Sequence, residues 1–170
     1  RVLFRSRDDP RSRILAWNYA DVSEFSRLAA ATRDAGVWVC PTLLWVQHAA
    51  LPTEQYLRLF TRPEWRYMAP QHYNRTLMAR EHPRSHLRTF SEDDFRSAQE
   101  GIEVQKIFIK ALHEAGVGLL LGTDVWTGGV AVHEELRNFV DAGLSPYEAI
   151  RTGTGNAAEF LDATDTFGTV

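Results

Sequence analysis

Apolar positions along the chain fall into two patterns, helical spacing in some stretches and unbroken short runs in others. Behind Asp21 and Ser23, either of which suits an N-cap, Phe25, Leu28, Ala29 and Ala35 share one helical face, and Gly36 stands where that helix should stop. Val37-Trp38-Val39-Cys40 follows at once, β-rich and without polar alternation, and Pro41 ends it. Such a run suits a strand covered on both faces, as in parallel sheets packed between helices. The second unit begins at Ser91, an N-cap followed by the acids Glu92, Asp93 and Asp94, which complement a helix dipole. Its apolar positions Ile102, Ile107, Phe108, Ala111, Leu112 and Ala115 predict a long helix to Gly116, with Val117 to Leu121 as a second buried strand.

The two units echo each other. Ala31-Thr32-Arg33-Asp34-Ala35-Gly36-Val37 resembles Ala111-Leu112-His113-Glu114-Ala115-Gly116-Val117, each a helix end running into a strand. A third such turn, Asp141-Ala142-Gly143-Leu144, leads instead into Ser145-Pro146-Tyr147-Glu148, with Ser as N-cap, Pro at the first helical position and Glu at the third. Helices are therefore expected around Val132 to Ala142, Pro146 to Arg151 and Asn156 to Leu161. Between the repeats, Gln47 to Pro83 is aromatic, charged and broken by Pro52, Pro63 and Pro70, which predicts an insertion of short helices over about residues 47–90. It is read either as a lid or pocket wall or as a packing element without substrate contact.

The sharpest chemical signal is Gly122-Thr123-Asp124 at the end of the second apolar run. It presents a carboxylate at a strand tip, with Gly122 leaving room for close approach; the plainer alternative is that Asp124 caps the following turn. Trp45 and Trp126 stand just beyond the two strand ends, either as pocket walls or as packing residues. His133 opens the next helix beside Glu134 and Glu135, facing substrate or simply solvent. The remaining histidines, His48, His72, His82, His86 and His113, form no zinc spacing, because Pro83 interrupts the only pair four apart.

Composition narrows the field by exclusion. The 170 residues carry a formal charge of -3, with Lys and Arg scattered among acids, so no basic field for nucleic acid is present. Cys40 is the one cysteine, which excludes an internal disulfide and reads as a buried, inert thiol within an apolar run. No run is long enough for a transmembrane helix, and no signal-peptide pattern opens the chain, so a cytoplasmic setting is the default, with a lost leader left open. A nucleophile elbow, a Walker loop and a dinucleotide fingerprint are all absent.

Taken in order, Pro41-Thr42-Leu43, Gly122-Thr123-Asp124, His133-Glu134-Glu135-Leu136, Ala142-Gly143-Leu144-Ser145-Pro146 and Thr154-Gly155-Asn156-Ala157-Ala158 resemble the amidohydrolase superfamily, in particular its imidazolonepropionase-like and dipeptidase-like branch. The resemblance covers roughly Ala16 to Val170. It implies an α/β fold, a partial TIM-type (β/α)8 barrel in which residues 7–166 supply the last two strands and their helices. A complete barrel needs about 250 residues, so isolated strands would expose edges and favour aggregation. The resemblance also implies that Asp124 ligates or adjoins a divalent metal, most naturally Zn2+, and acts as base toward a hydrolytic water. The expected reaction is hydrolysis of a carbon–nitrogen bond in a small cyclic amide or dipeptide, with His133, Trp126 and Trp45 near the substrate. The family's His-x-His pair, its bridging Lys and its later histidine ligands have no counterparts here, so the other ligands and full activity are expected to lie outside this chain.

Both ends carry a further resemblance. Arg1-Val2-Leu3-Phe4-Arg5-Ser6 looks like a translated sequencing adapter, and Phe167-Gly168-Thr169-Val170 resembles a return into a small β-domain. The competing reading from another class is a small non-catalytic α/β binding or scaffold protein in which Asp124 only caps a turn. A glycosidase would need a second strand-tip carboxylate, where the first strand offers Pro41-Thr42. No nucleic-acid or membrane partner is expected, and the oligomeric state is left open.

Overall fold

The structure, a computed structural model, describes residues 14–67, 69–71, 74, 90–125 and 129–168. Its elements are helical. A 3-10 turn at Ala16–Tyr19 and another at Val22–Glu24 lead into α1 (Phe25–Asp34); α2 (Leu43–Ala49), α3 (Thr53–Leu59) and a 3-10 turn at Pro63–Tyr67 follow. The long α4 (Glu92–Glu114) precedes α5 (Gly129–Asp141), α6 (Pro146–Thr152) and α7 (Gly155–Phe160). The helix starts follow local chemistry. Ser91 and Asp94 close a reciprocal capping box on α4, and Ser145 and Glu148 close another on α6 behind Pro146. Each satisfies backbone donors that would otherwise be unpaired and contributes about 1 kcal/mol. Asp21 accepts from the Ser23 backbone N–H at 3.0 Å and so starts the turn that becomes α1.

Four helices end in the same way, and three of them explain the repeated Ala-Gly of the sequence. At the end of α1, the Gly36 N–H donates to the Arg33 carbonyl and the Val37 N–H to the Thr32 carbonyl, with Gly36 at φ 65°. Gly116 and Gly143 repeat the arrangement after α4 and α5, at φ 82° and 109°. These are Schellman caps, which need a left-handed residue that glycine adopts without steric cost. The fourth cap, after α7, places Asp162 at φ 52° in the glycine position. Asp162→Gly is therefore expected to raise the unfolding free energy by about 0.5–1 kcal/mol, measured by denaturant titration. A loss of stability would show that the Asp162 side chain is needed there.

The long helix α4 is the hub of the packing. Its C-terminal half buries Ile109 and Leu112 against Leu43 of α2, Phe139 of α5, and Leu119 and Leu144 from the connecting segments. Its N-terminal half carries Ala98 and Ile102 into a second cluster with Ile14, Ala49 and Ala50. On its flank, Phe108 meets Phe25 with ring centroids 4.9 Å apart and Trp17 at 5.9 Å, which fixes α1 and the first 3-10 turn to the hub.

The expected barrel architecture is overturned. Among the described residues there is no β-strand and no sheet, and the two apolar runs read as the last two strands of a (β/α)8 barrel are joined by one isolated parallel bridge, Val39 with Leu119. Two hydrogen bonds make it, from Val39 N–H to the Gly118 carbonyl and from Leu120 N–H to the Val39 carbonyl, each 2.9 Å. The next rung would need an N–H on residue 41, and Pro41 has none. At the other end, the N–H groups of Val37 and Val117 are drawn back into the Schellman caps. The far edge of the second run is covered by helical segments instead of a strand: Leu121 N–H donates to the Thr152 carbonyl at 3.0 Å, and Asn156 Nδ2 to the Leu119 carbonyl at 2.9 Å.

Other expectations resolve unevenly. The helices expected near 132–142, 146–151 and 156–161 are present as α5, α6 and α7. Of the insertion, α2, α3 and the Pro63–Tyr67 turn are short helices, while residues 75–89 lie outside the described residues. The suspected adapter residues and Thr169-Val170 also lie outside them, and Phe167-Gly168 form a bend. No described helix is long and apolar enough to cross a membrane. Exposed apolar side chains gather on the last helices and the first extended run, where Val37 remains 51% exposed and Phe160 53%.

Candidate functional site

The two extended runs are parallel, so both finish at the same end of the bridge, and both finish in an unusual backbone. Thr42 follows the first run at φ 50° and Asp124 the second at φ 49°. Left-handed conformations are uncommon for residues other than glycine, most of all for a β-branched threonine. Asp124 is exposed, and among the described residues its carboxylate accepts no hydrogen bond. The turn beyond it is served by Thr123 instead, whose Oγ1 lies 3.5 Å from the Val125 N–H. Among the described residues, then, the side chain that caps this turn is that of Thr123, and the Asp124 carboxylate has no partner.

Gly122 has a reason different from the expected ligand access. A Cβ at that position would collide with the Cys40 sulfur, so the glycine lets the two run ends close on each other. Cys40 itself is exposed rather than buried, because its segment has a neighbour along one edge only. Partial desolvation pushes its thiol above the usual range, and the carboxylates of Glu135 and Asp124 push it further. A thiol held protonated in an acidic neighbourhood is a poor nucleophile.

The site also contains a residue that the sequence did not single out. Glu135 on α5 is fully buried, at 0% exposure, and its two oxygens accept from the backbone N–H groups of Leu43 (2.8 Å) and Leu44 (2.7 Å) at the start of α2. Asn138 Nδ2 donates a third bond at 3.1 Å and another to Gln47 Oε1 of α2 at 3.0 Å, while Asn138 Oδ1 accepts from Gln47 Nε2 at 2.8 Å. Thr42 places no side-chain cap on α2, so Glu135 supplies that cap from across the core. The available signal was register: Ala131, Glu135, Asn138 and Phe139 follow i, i+4, i+7, i+8, which places Glu135 and Asn138 inside the buried stripe of α5.

Burial raises the Glu135 pKa above its ordinary value of 4.5, and the hydrogen bonds from Asn138, Leu44 and Leu43 oppose that rise. The folded state therefore binds this proton more tightly than the unfolded chain does. The group is neutral in both states below the ordinary value, and its ionisation lowers stability progressively as pH rises from there through the raised folded value. Glu135→Gln, titrated with denaturant from pH 4.5 upward, should lose that falling component. An identical slope in the variant would assign it to other groups.

Two other expected site residues lie on described helices. His133 is exposed in the first turns of α5, and Trp45 on α2 is 39% exposed; among the described residues neither makes a hydrogen bond or ring contact with the groups around Asp124. Trp126 lies outside the described residues, as do His72, His82 and His86. Glu134, next to His133, pairs with Arg62 at 2.5 Å, and Arg62 also holds Glu64, which ties the turn after α3 to α5. A cavity of about 260 Å3 lies at that junction, between Leu44, His48, Leu59, Arg62 and Asn138.

A catalytic divalent ion requires about three protein ligands. Among the described residues no three His, Cys, Asp or Glu side chains come together, and Glu135 is committed to the start of α2. The metal-binding centre implied by the resemblance, zinc included, is not formed by these residues. Compared with protein-family models, curated proteins and solved structures, the chain matches none.

Proposed function

We propose that this chain carries the proton-accepting carboxylate of a hydrolase acting on carbon–nitrogen bonds, and that Asp124 is that group. The observation behind this reading is an exposed carboxylate without a hydrogen bond among the described residues, held in a left-handed backbone at the shared end of two parallel runs. Backbone strain of this kind costs on the order of 1–3 kcal/mol and concentrates at functional positions. Asp124 takes a proton from water as the water oxygen attacks the amide carbon, then returns it to the nitrogen as the C–N bond breaks, giving a carboxylic acid and an amine. The resemblance to amidohydrolases implies small cyclic amides and dipeptides as substrates. A divalent ion would have to be held mostly by groups other than those described, so no step is assigned to it.

The test is amine release from a panel of dipeptides and five- and six-membered cyclic amides, run on the complete product of the encoding gene with and without added Zn2+. Saturable turnover of one class is the expected result. A second reading, a non-catalytic binding protein, draws support from the packing of two apolar clusters on one long helix. Absence of turnover across the whole panel would put that reading first.

A further inference from the structure

A cavity of about 310 Å3 opens at the other end of the two extended runs, lined by Trp38, His113, Glu148, Arg151, Asn156 and Glu159. Its lining takes in Gly116 to Leu119 at the start of the second run, and Asp124 at the finish of that run is not part of it, so this is a separate site. Its size is at the lower end of pockets that hold small molecules.

The cavity has an aromatic floor and two charges without an ion pair among the described residues. The Trp38 indole lies over Gly118, where any Cβ would overlap the ring, and Phe160 supports it edge-on with centroids 5.8 Å apart. Of the polar groups, His113 and Glu148 answer each other, Nε2 to Oε1 at 3.2 Å, and Glu148 is further held by the Ser145 hydroxyl and N–H. Asn156 has its amide nitrogen committed to the Leu119 carbonyl. Arg151 and Glu159, both exposed, make no ion pair among the described residues. The Arg151 Nε stands 3.6 Å from where a Cβ on Gly155 would be, so the side chain is turned over the start of α7, the helix that carries Glu159.

A flat ring surface beside one cation and one anion that are unpaired among the described residues is complementary to a zwitterion bearing a ring. We propose that this cavity binds a free aromatic α-amino acid, its ring on Trp38, its carboxylate on Arg151 and its ammonium on Glu159. Arginine presents a planar fork of donors to a carboxylate, and an aromatic face prefers a planar apolar partner, so the assignment of groups follows from the side chains themselves.

Isothermal titration of the full chain with L-phenylalanine tests this, with phenylacetate and phenethylamine as probes that each lack one charge. One-site binding with a Kd between about 10 µM and 1 mM is expected, and each analogue should bind at least about tenfold more weakly, as loss of one charge-assisted hydrogen bond requires. Arg151→Ala, an exposed position that should not disturb folding, should weaken L-phenylalanine about tenfold or more, and Glu159→Gln likewise. No saturable heat up to about 10 mM, phenylacetate as tight as L-phenylalanine, or undiminished binding to Arg151→Ala would each overturn the proposal. Binding is read without turnover, so the result is independent of the hydrolase reading.

Discussion

Replacing Glu135 with alanine is expected to lower the unfolding free energy by about 2–4 kcal/mol, a large share of the stability of a domain this size. Three donors lose their acceptor at once: the N–H groups of Leu43 and Leu44 and the Asn138 amide. Each is enclosed by the main core, since Leu43 and Leu44 are 1% and 3% exposed, and an unsatisfied buried donor costs about 1–3 kcal/mol. Relief from burying an ionised carboxylate offsets part of the loss, which is why the sum is not simply threefold. Glu135→Gln keeps the shape and one acceptor oxygen, so it should cost about 1–2 kcal/mol. Urea titration of the three proteins provides the comparison, and an alanine variant within about 0.5 kcal/mol of wild type would mean that α2 finds its cap elsewhere.

The second large effect is on rate. Asp124→Asn removes the proton acceptor and keeps size and shape, and loss of a positioned general base commonly costs about 10²–10⁴-fold in turnover. Folding should be untouched or slightly favoured, because asparagine tolerates the left-handed backbone at φ 49° at least as well as aspartate. Asp124→Gly should show the same loss of rate with a gain in stability of about 0.5–1 kcal/mol from relief of backbone strain. The loss of rate is what marks a functional role, since the gain in stability is expected at any left-handed position. A left-handed residue with only a structural role, such as Asp162, would gain stability in the same way and leave rate unchanged.

Much of the helical framework was legible because its signals are local. Ser91 with Asp94 and Ser145 with Glu148 specify helix starts within four residues, and the Asp/Glu-Ala-Gly steps at residues 34–36, 114–116 and 141–143 specify ends equally closely. Strands were not legible in the same way. Val37-Trp38-Val39-Cys40 and Val117 to Leu121 have the composition of buried strands, yet a strand exists only through its neighbours, and here Pro41 and the two glycine caps confine pairing to a single bridge. The same absence of a second neighbour exposes Cys40, which its apolar surroundings in sequence had suggested was buried.

The site was legible in part for a related reason. Asp124 stands out because a carboxylate at the end of an apolar run is conspicuous in one dimension. Glu135 hides between Glu134 and Arg137, charges that read as a solvated helix face until the register of Ala131 and Phe139 is imposed on them. Its partners Leu43 and Leu44 are about ninety residues away, and their need for an acceptor follows from Thr42 adopting a backbone that leaves α2 without a local cap. Long-range satisfaction of buried donors is a property of the folded chain and has no sequence motif.

Amine release and melting temperature measured side by side on wild type and Asp124→Asn test the role of Asp124 most directly. The expected result is a fall in turnover of at least about 100-fold with a melting temperature within about 2 °C of wild type. Turnover that survives the substitution, or falls only as far as the folded fraction falls, would contradict Asp124 as the reacting carboxylate.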